Sequence, residues 1–283
     1  MSVEYSVTVI VLNWNGKDLL KDCLESLEKV EYPNYNILVV DNGSSDESVS
    51  YVQTEFPEVE LLILDQNYGY AKGNNRGFEY AKSHGAECVV FLNNDTIVDP
   101  KFLDELVKTF ENPVIGMSTA KIFYADEPSK IWFNGADINL SIGKIEHRNI
   151  REMNTENLEK IESTDYATGC CLAIKTDIFS EVKGFDEKFP MYAEDVDLSI
   201  RVKQSGREIA MASKAHIWHK VSSSMGGEFS YKKLYRKFKG LLRVYIKHAT
   251  LFEWVSVIVL SPVLIAINML RFLTLKFHHS SSE

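Results

Sequence analysis

Cysteine is scarce in this 283-residue chain: four residues, Cys23, Cys88, Cys170 and Cys171. None has the spacing of a metal-ligand set or a disulfide framework, so they read as small buried hydrophobes of a protein kept in a reducing compartment. Positive charge is short over most of the chain. The net charge is −9, yet residues 229–283 hold nine Lys or Arg against Glu253 and Glu283, which leaves residues 1–228 at −16. An acidic body of that size excludes general nucleic-acid binding. Internal repeats and low-complexity tracts are missing, apart from a terminal stretch at His278–Ser282. Met1–Ser6 contains Glu4 and leads straight into a strand pattern, so no secretory signal peptide is expected. Only one long uncharged run occurs, Trp254–Leu270, and with 17 residues interrupted by Pro262 and Asn268 it is at the lower limit for crossing a bilayer.

What the chain does contain is ample for a core, at 45% hydrophobic residues. Apolar strand patterns at Val7–Leu12, Ile37–Val40, Val59–Leu64 and Cys88–Leu92 alternate with helical patterns at Lys17–Lys29, Glu47–Phe56 and Tyr70–His84. Repeated β-α-β units of this kind predict an α/β fold with a right-handed, doubly wound, mainly parallel sheet. A helix is predicted over Lys101–Glu111 after Asp99-Pro100, and a strand over Gly116–Ile122. From Phe123 to Thr164 the pattern breaks into short pieces with Asn134-Gly135 and Ile142-Gly143, which predicts a loop-and-hairpin insertion. Regular structure resumes with a strand over Gly169–Ile174 and a helix over Thr176–Val182.

The chemistry-bearing residues gather at the ends of these elements. Three strands stop in polar loops: Asn13-Trp-Asn-Gly16, Asp41-Asn-Gly-Ser-Ser-Asp46 and Asn93-Asn-Asp-Thr96. The carboxyl edge of an open α/β sheet is where ligands bind, and Asp95 stands there as a lone carboxylate. Later, Glu194, Asp195 and Asp197 enter an otherwise apolar helical start. An acidic first turn can simply complement the helix dipole, but carboxylates packed close together also repel, which raises the pKa of at least one toward that of a general base.

The ordered set VTVIVLNWNG, VVDNGSSDES, NYGYAKGNNRGF, FLNNDT, GFDEKFPMYAEDVDLSIR and the following His219 resembles the family 2 glycosyltransferases of the GT-A fold, most closely their rhamnosyltransferase-like branch. The likeness runs from about residue 5 to about residue 225. It implies a Rossmann-like nucleotide-binding half and an inverting displacement. Asp195 would be the base that takes the acceptor proton, with Glu194 and Asp197 orienting it or holding acceptor. Asp95 would grip a divalent ion on the donor diphosphate, Mg²⁺ or Mn²⁺ as suits hard oxygen ligands. The Asp-x-Asp element of the family reads Asn93-Asn94-Asp95 here, which leaves one strong ligand and no direct role for Asn93. His219 matches the family's His followed by Ser-rich residues, here Ser222 and Ser224, and an imidazole beside a carboxylate favours Mn²⁺. His216 reads as a structural histidine.

For the nucleotide, Asp41 can accept the imide N–H of uracil or thymine, with Leu12, Asn13 and Asn15 lining the ring. Asn67, Gly73 and Asn74 of the Asn67–Arg76 run, together with Asn94, are the further binding candidates. Trp132, Gly135, Thr168, Gly169 and Tyr192 are the acceptor-side candidates, Trp132 by stacking on a sugar face. The resemblance implies a donor with dTDP or UDP, rhamnose as the sugar, and a lipid-linked cell-surface glycan as acceptor. Two other functions compete. A sugar nucleotidylyltransferase would need a basic phosphate loop after the first strand, and Asn13–Gly16 has no Lys or Arg. A non-catalytic nucleotide-sugar-binding protein would not be expected to keep both Asp95 and Asp195.

The expected division is a catalytic domain over residues 1–228 and a basic, apolar region over 229–283. Tyr231–Lys247 interleaves cations with aromatic and aliphatic residues, which fits a helix lying on an anionic, cytoplasmic membrane face. A span, a buried helix and a homodimer interface are the other readings of this tail.

Overall fold

The computed structural model describes residues 4–155, 161–189, 191–220 and 231–260, with the backbone alone described at 231–234. Ser222, Ser224 and everything after residue 260 lie outside the described residues.

The first strand, β1 (Val7–Asn13), shows why the core forms as it does. Side chains alternate between the faces of a strand. Val7, Val9 and Val11 therefore enter one apolar layer with Leu20, Cys23, Leu24 and Leu27 of α1 (Lys17–Leu27). Ile10 enters the opposite layer with Phe78 and Ala81. Burial on both faces accounts for the unbroken apolar run. Next come β2 (Tyr35–Asp41), α2 (Ser48–Glu55), β3 (Glu60–Ile63), α3 (Gly69–Ser83) and β4 (Cys88–Asn93). β1 pairs in parallel with both β2 and β4, and β2 with β3. α3 lies close on this wing because Gly73 and Gly77 face it. A Cβ on Gly77 would stand 2.8 Å from both Ile10 Cγ2 and Val40 Cγ2, and one on Gly73 would stand 2.6 Å from Leu12 Cδ1. Gly73 thus serves helix-on-strand packing.

The second half departs from simple β-α-β repetition. After β5 (Thr96–Val98), α4 (Phe102–Lys108) and β6 (Ile115–Tyr124) come β7 (Ile131–Phe133), the antiparallel hairpin β8 (Ala136–Asn139) and β9 (Lys144–His147), and β10 (Ile161–Ser163). β11 (Cys171–Lys175) runs antiparallel between β4 and β6. It is followed by α5 (Thr176–Glu181), α6 (Glu194–Gln204) and β12 (Glu208–His219), which pairs in parallel with β6 and antiparallel with β5. The ten-stranded sheet reads β10-β12-β6-β11-β4-β1-β2-β3, with β5 on β12 and β7 on β6.

α7 (Tyr231–His248) packs back onto the body, burying Gly240, Val244 and Tyr245, and the Tyr245 hydroxyl donates to Leu140 O. The opposite face leaves Tyr235, Phe238, Leu242 and Ile246 exposed. A further helical segment covers 251–260.

Candidate active site

The sheet brings three chain segments to one place. β11 runs antiparallel to β4 with Cys171 opposite Leu92, so the Thr168–Cys170 turn meets the end of β4, and Asn93 N–H donates to Cys170 O at 3.0 Å. β12 pairs with β5 so that His219 lies opposite Thr96. The buried Cys170 thiol is pushed well above its ordinary pKa, first by desolvation and then by the charges of Asp95 and Asp195 among others.

On one side are Asp95 and His219, both buried, with His219 Nε2 3.1 Å from Asp95 Oδ1. Among the described residues neither Asp95 Oδ1 nor His219 Nδ1 has a hydrogen-bond partner, the Asp95–His219 approach being an ion-pair contact without hydrogen-bond geometry. Buried polar atoms left without partners are uncommon and call for a ligand. A hard carboxylate oxygen and an imidazole fit a Mn²⁺-like ion, whose neighbouring ligands at about 2.1 Å stand roughly 3 Å apart. Among the described residues no group of three or more His, Cys, Asp or Glu side chains could hold a metal. Remaining positions would fall to phosphate oxygens and water. His216 instead places Nε2 3.0 Å from Ser213 O and packs edge-on against Phe123.

On the other side is the acidic start of α6. Asp195 Oδ2 accepts the Gly169 N–H and Oδ1 its neighbour Val196 N–H, each at 2.9 Å. The Asp195 pKa is raised above its ordinary value, because burial outweighs the hydrogen bonds from Gly169 and Val196. Glu194 is buried, its Oε2 has no partner, and desolvation followed by the Asp195 charge pushes its pKa up to about 8. Two buried carboxylates this close disfavour carrying two charges at once, and the two N–H donors make Asp195 the better seat for negative charge than Glu194. Tyr70, which the sequence pattern marked only as the start of a helix, donates from its hydroxyl to Gly169 O at 2.6 Å. It thereby fixes the turn whose N–H aims Asp195. Its buried phenol is held neutral, its pKa raised well above the usual value by desolvation and then by Glu194 and Asp195.

Asp197 turns away from this pair. Residues two apart on a helix do not share a face, and its carboxylate is met by Arg201, Lys247 and His248, each at 2.7 Å. Its pKa falls to about 2: burial opposes ionisation, and the hydrogen bonds from His248 and Lys247 with the Arg201 charge outweigh it.

Of the predicted nucleotide residues, Asn13, Asn15, Asp41 and Asn94 form one hydrogen-bonded shelf. Asn94 Nδ2 donates to Asn13 Oδ1 at 2.7 Å, and Asn13 Nδ2 donates to Asp41 Oδ2 at 3.3 Å. Asp41 is buried and its Oδ1 accepts Ser44 N–H, so as described it organises the loop from below. Asn15, in a left-handed conformation, accepts Ser45 N–H through Oδ1. A Cβ at Gly16 would stand 2.4 Å from Asn94 Nδ2 and 2.5 Å from Asn13 Oδ1, so a side chain there would push apart the Asn94–Asn13 hydrogen bond. Asn67 accepts from Asn42 and Gly69, whereas Asn74 is buried and bonds back to Tyr70 O. Trp132 packs edge-on against His219, ring centroids 4.7 Å apart, and against His147, linking the insertion to Asp95.

The position of Glu194 gives a pH prediction. A carboxyl whose folded pKa lies above its unfolded value binds more protons when folded, so stability declines as pH rises from about 4.5 to about 8. Glu194→Gln removes that cost, about 5 kcal/mol at pH 9 for a shift of that size. The variant is expected to melt above the parent at pH 9 and level with it at pH 5, read by calorimetry. A difference that does not change with pH would place the Glu194 carboxyl in an ordinary environment.

Comparison with known proteins supplies the family. The model described as "Glycosyl transferase family 2" matches residues 8–183. The chain is 26% identical over 228 residues to "O-antigen biosynthesis protein RfbC" of Myxococcus xanthus, covering 77% of this chain and 17% of that one. It is 26% identical over 237 residues to "N-acetylglucosaminyl-diphospho-decaprenol L-rhamnosyltransferase" of Mycobacterium tuberculosis, covering 77% of each. This chain thus spans a small part of the first relative and about three quarters of the second. Among solved structures, GalNAc-T7 with UDP, GalNAc and Mn²⁺ superposes with a TM-score of 0.65 at 15% identity, over 85% of this chain and 47% of that one. That likeness shows a shared GT-A fold.

Proposed function

The chain belongs to glycosyl transferase family 2, and on that premise we propose that it is an inverting glycosyltransferase, moving a sugar from a nucleotide diphosphate to a hydroxyl of a lipid-linked cell-surface glycan. The observation that carries this reading is the Thr168–Cys170 turn, which ties the two sides together: Gly169 N–H aims Asp195 Oδ2, and Cys170 O accepts the N–H of Asn93, two residues before the Asp95 that meets His219. Rhamnose from dTDP-rhamnose is the favoured donor, because the mycobacterial relative is named an L-rhamnosyltransferase; another UDP- or dTDP-sugar is the alternative.

In the proposed reaction Asp195 accepts the proton of the acceptor hydroxyl as its oxygen bonds to the anomeric carbon, and the bond from that carbon to the diphosphate oxygen breaks. Glu194, protonated, keeps a second negative charge out of the site. Asn13, Asn15 and Asn94, together with Leu12, Asp41 and Asn67, line the nucleotide. Asn74 and Gly73 shape the helix beneath them. Asp95 and His219 would hold Mn²⁺ or Mg²⁺, which when bound offsets negative charge on the leaving diphosphate. Trp132, Gly135, Thr168, Gly169 and Tyr192 border the acceptor side. Residues 1–228 would be the catalytic part and 229–283 the membrane-facing part.

No helix among the described residues is long and apolar enough to cross a membrane. The exposed stripe of α7 continues into Leu251, Phe252, Val255, Ile258 and Val259, and its neighbours Lys237 and Lys239 are also exposed. A surface of this kind suits attachment to an anionic, cytoplasmic membrane face. The protein is expected to co-sediment with anionic liposomes and to be released as salt rises; failure to sediment at low salt would favour a homodimer interface. Thermal-shift measurement against UDP, dTDP and GDP and their sugars, with and without Mn²⁺, tests the donor reading. Stabilisation by dTDP or UDP that increases with Mn²⁺ is expected, and no response to any nucleotide would remove the reading.

A further inference from the structure

The loop that presents the acidic pair is strained. Met191, Tyr192 and Ala193 have φ of 146°, 73° and 71°, three consecutive non-glycine residues outside the ordinary region. Such a conformation is costly for a residue with a Cβ and persists only where surrounding structure over-determines it. Ala193 is also the N-cap of α6, and its carbonyl accepts Asp197 N–H at 3.0 Å.

The bracing comes from α7. Gly240 lies against the loop so closely that a Cβ would stand 2.4 Å from Tyr192 O and 3.2 Å from Ala193 Cβ. The first of these is backbone, which cannot swing aside. One turn earlier, Arg236 reaches Met191 Sδ at 3.6 Å, and one turn later the Arg243 guanidinium donates to Lys188 O. At the end of the helix, Lys247 and His248 meet Asp197 Oδ1, and Lys247 also meets Asp186 Oδ2 at 2.8 Å. α7 therefore grips the segment on both sides of Glu194 and Asp195: the left-handed loop before them and the first turn of α6 after them.

We propose that α7 is the positioning element of the catalytic pair, with Gly240, Lys247 and His248 as positioning residues that hold residues 191–197 in the conformation that aims Asp195. The proposal rests on the assignment of Asp195 as base. It divides the molecule, because the donor shelf on β1, β2 and β4 has no part in this contact. Loss of the α7 contact should remove turnover and leave nucleotide binding in place.

Gly240→Ala in the full chain tests it. Affinity for the nucleoside diphosphate with Mn²⁺ should stay within about twofold, turnover with acceptor should fall at least about tenfold, and backbone amide exchange should accelerate at 191–197 but not in β1 or β4. The pair His248→Ala and His248→Gln gives a second readout, since a Gln side chain can still donate to Asp197. Turnover lost in the first and largely restored in the second is the expected result. Exchange at 191–197 equal to the parent's in both Gly240→Ala and His248→Ala, or turnover equal in all variants, would overturn the proposal. The exchange measurement needs no activity. A parent chain that transfers no sugar would therefore count against the proposed function and leave the clamp still testable.

Discussion

Asp195→Asn is expected to lower turnover by about 10² to 10⁴, the contribution of a positioned general base, while nucleotide affinity stays near that of the parent. The amide keeps the shape of the carboxylate but cannot take the acceptor proton. It can accept only one of the two N–H groups, Gly169 or Val196, that Asp195 accepts now. The other faces an NH₂, at a cost of about 1–3 kcal/mol in stability. Removing the charge also relieves Glu194, although burial, the larger cause of its raised pKa, remains. A purified, folded variant that kept more than about a tenth of the parent's turnover would show that Asp195 is not the base.

Asp95→Ala is expected to weaken nucleoside diphosphate binding by about tenfold or more when Mn²⁺ is present, in line with the loss of a metal ligand, and to change it little in EDTA. His219→Ala should follow the same pattern. Stability separates this reading from a structural ion pair. Among the described residues Asp95 Oδ1 has the His219 Nε2 contact at 3.1 Å but no hydrogen bond, so the metal-free Asp95→Ala protein should melt close to the parent. A loss of stability in EDTA with unchanged metal-dependent binding would make Asp95 and His219 a structural pair.

The first half of the fold is legible because its signals are local. β1, β2 and β4 are apolar runs that end where polar loops begin, and their parallel pairing follows from the helices between them. The second half is set by long-range pairing. β11 carries the same apolar pattern as a parallel strand, and nothing in Cys171–Lys175 states that it runs antiparallel between β4 and β6. β12 is obscured by its own composition: Ala, Met, Ser, Lys and His fill Ala210–His216, and none of these is among the β-branched and aromatic residues enriched in strands. Its period of two is nonetheless readable from Ala215, Ile217 and His219, which are buried while Lys214 is exposed.

Within the site, the sequence brought Asp95 and His219 together only through the family resemblance, since 123 positions separate them in the chain. The geometry adds the β5–β12 pairing that closes that gap. Asp197 was placed with Glu194 and Asp195 by its nearness in sequence, although a helix turns it to another face, where α7 meets it. The role of α7 had no local signal. Its amphipathic pattern shows that one face is apolar, but not that Gly240 lies against Tyr192, because that contact joins segments about fifty residues apart.

The most direct test of the account is the anomeric configuration of the sugar in the transferred product, read by NMR after incubation of the full chain with a nucleotide sugar, Mn²⁺ and a hydroxyl acceptor. Direct displacement assisted by one base, Asp195, is expected to give the configuration opposite to that of the donor. A product that retains the donor's configuration would contradict it.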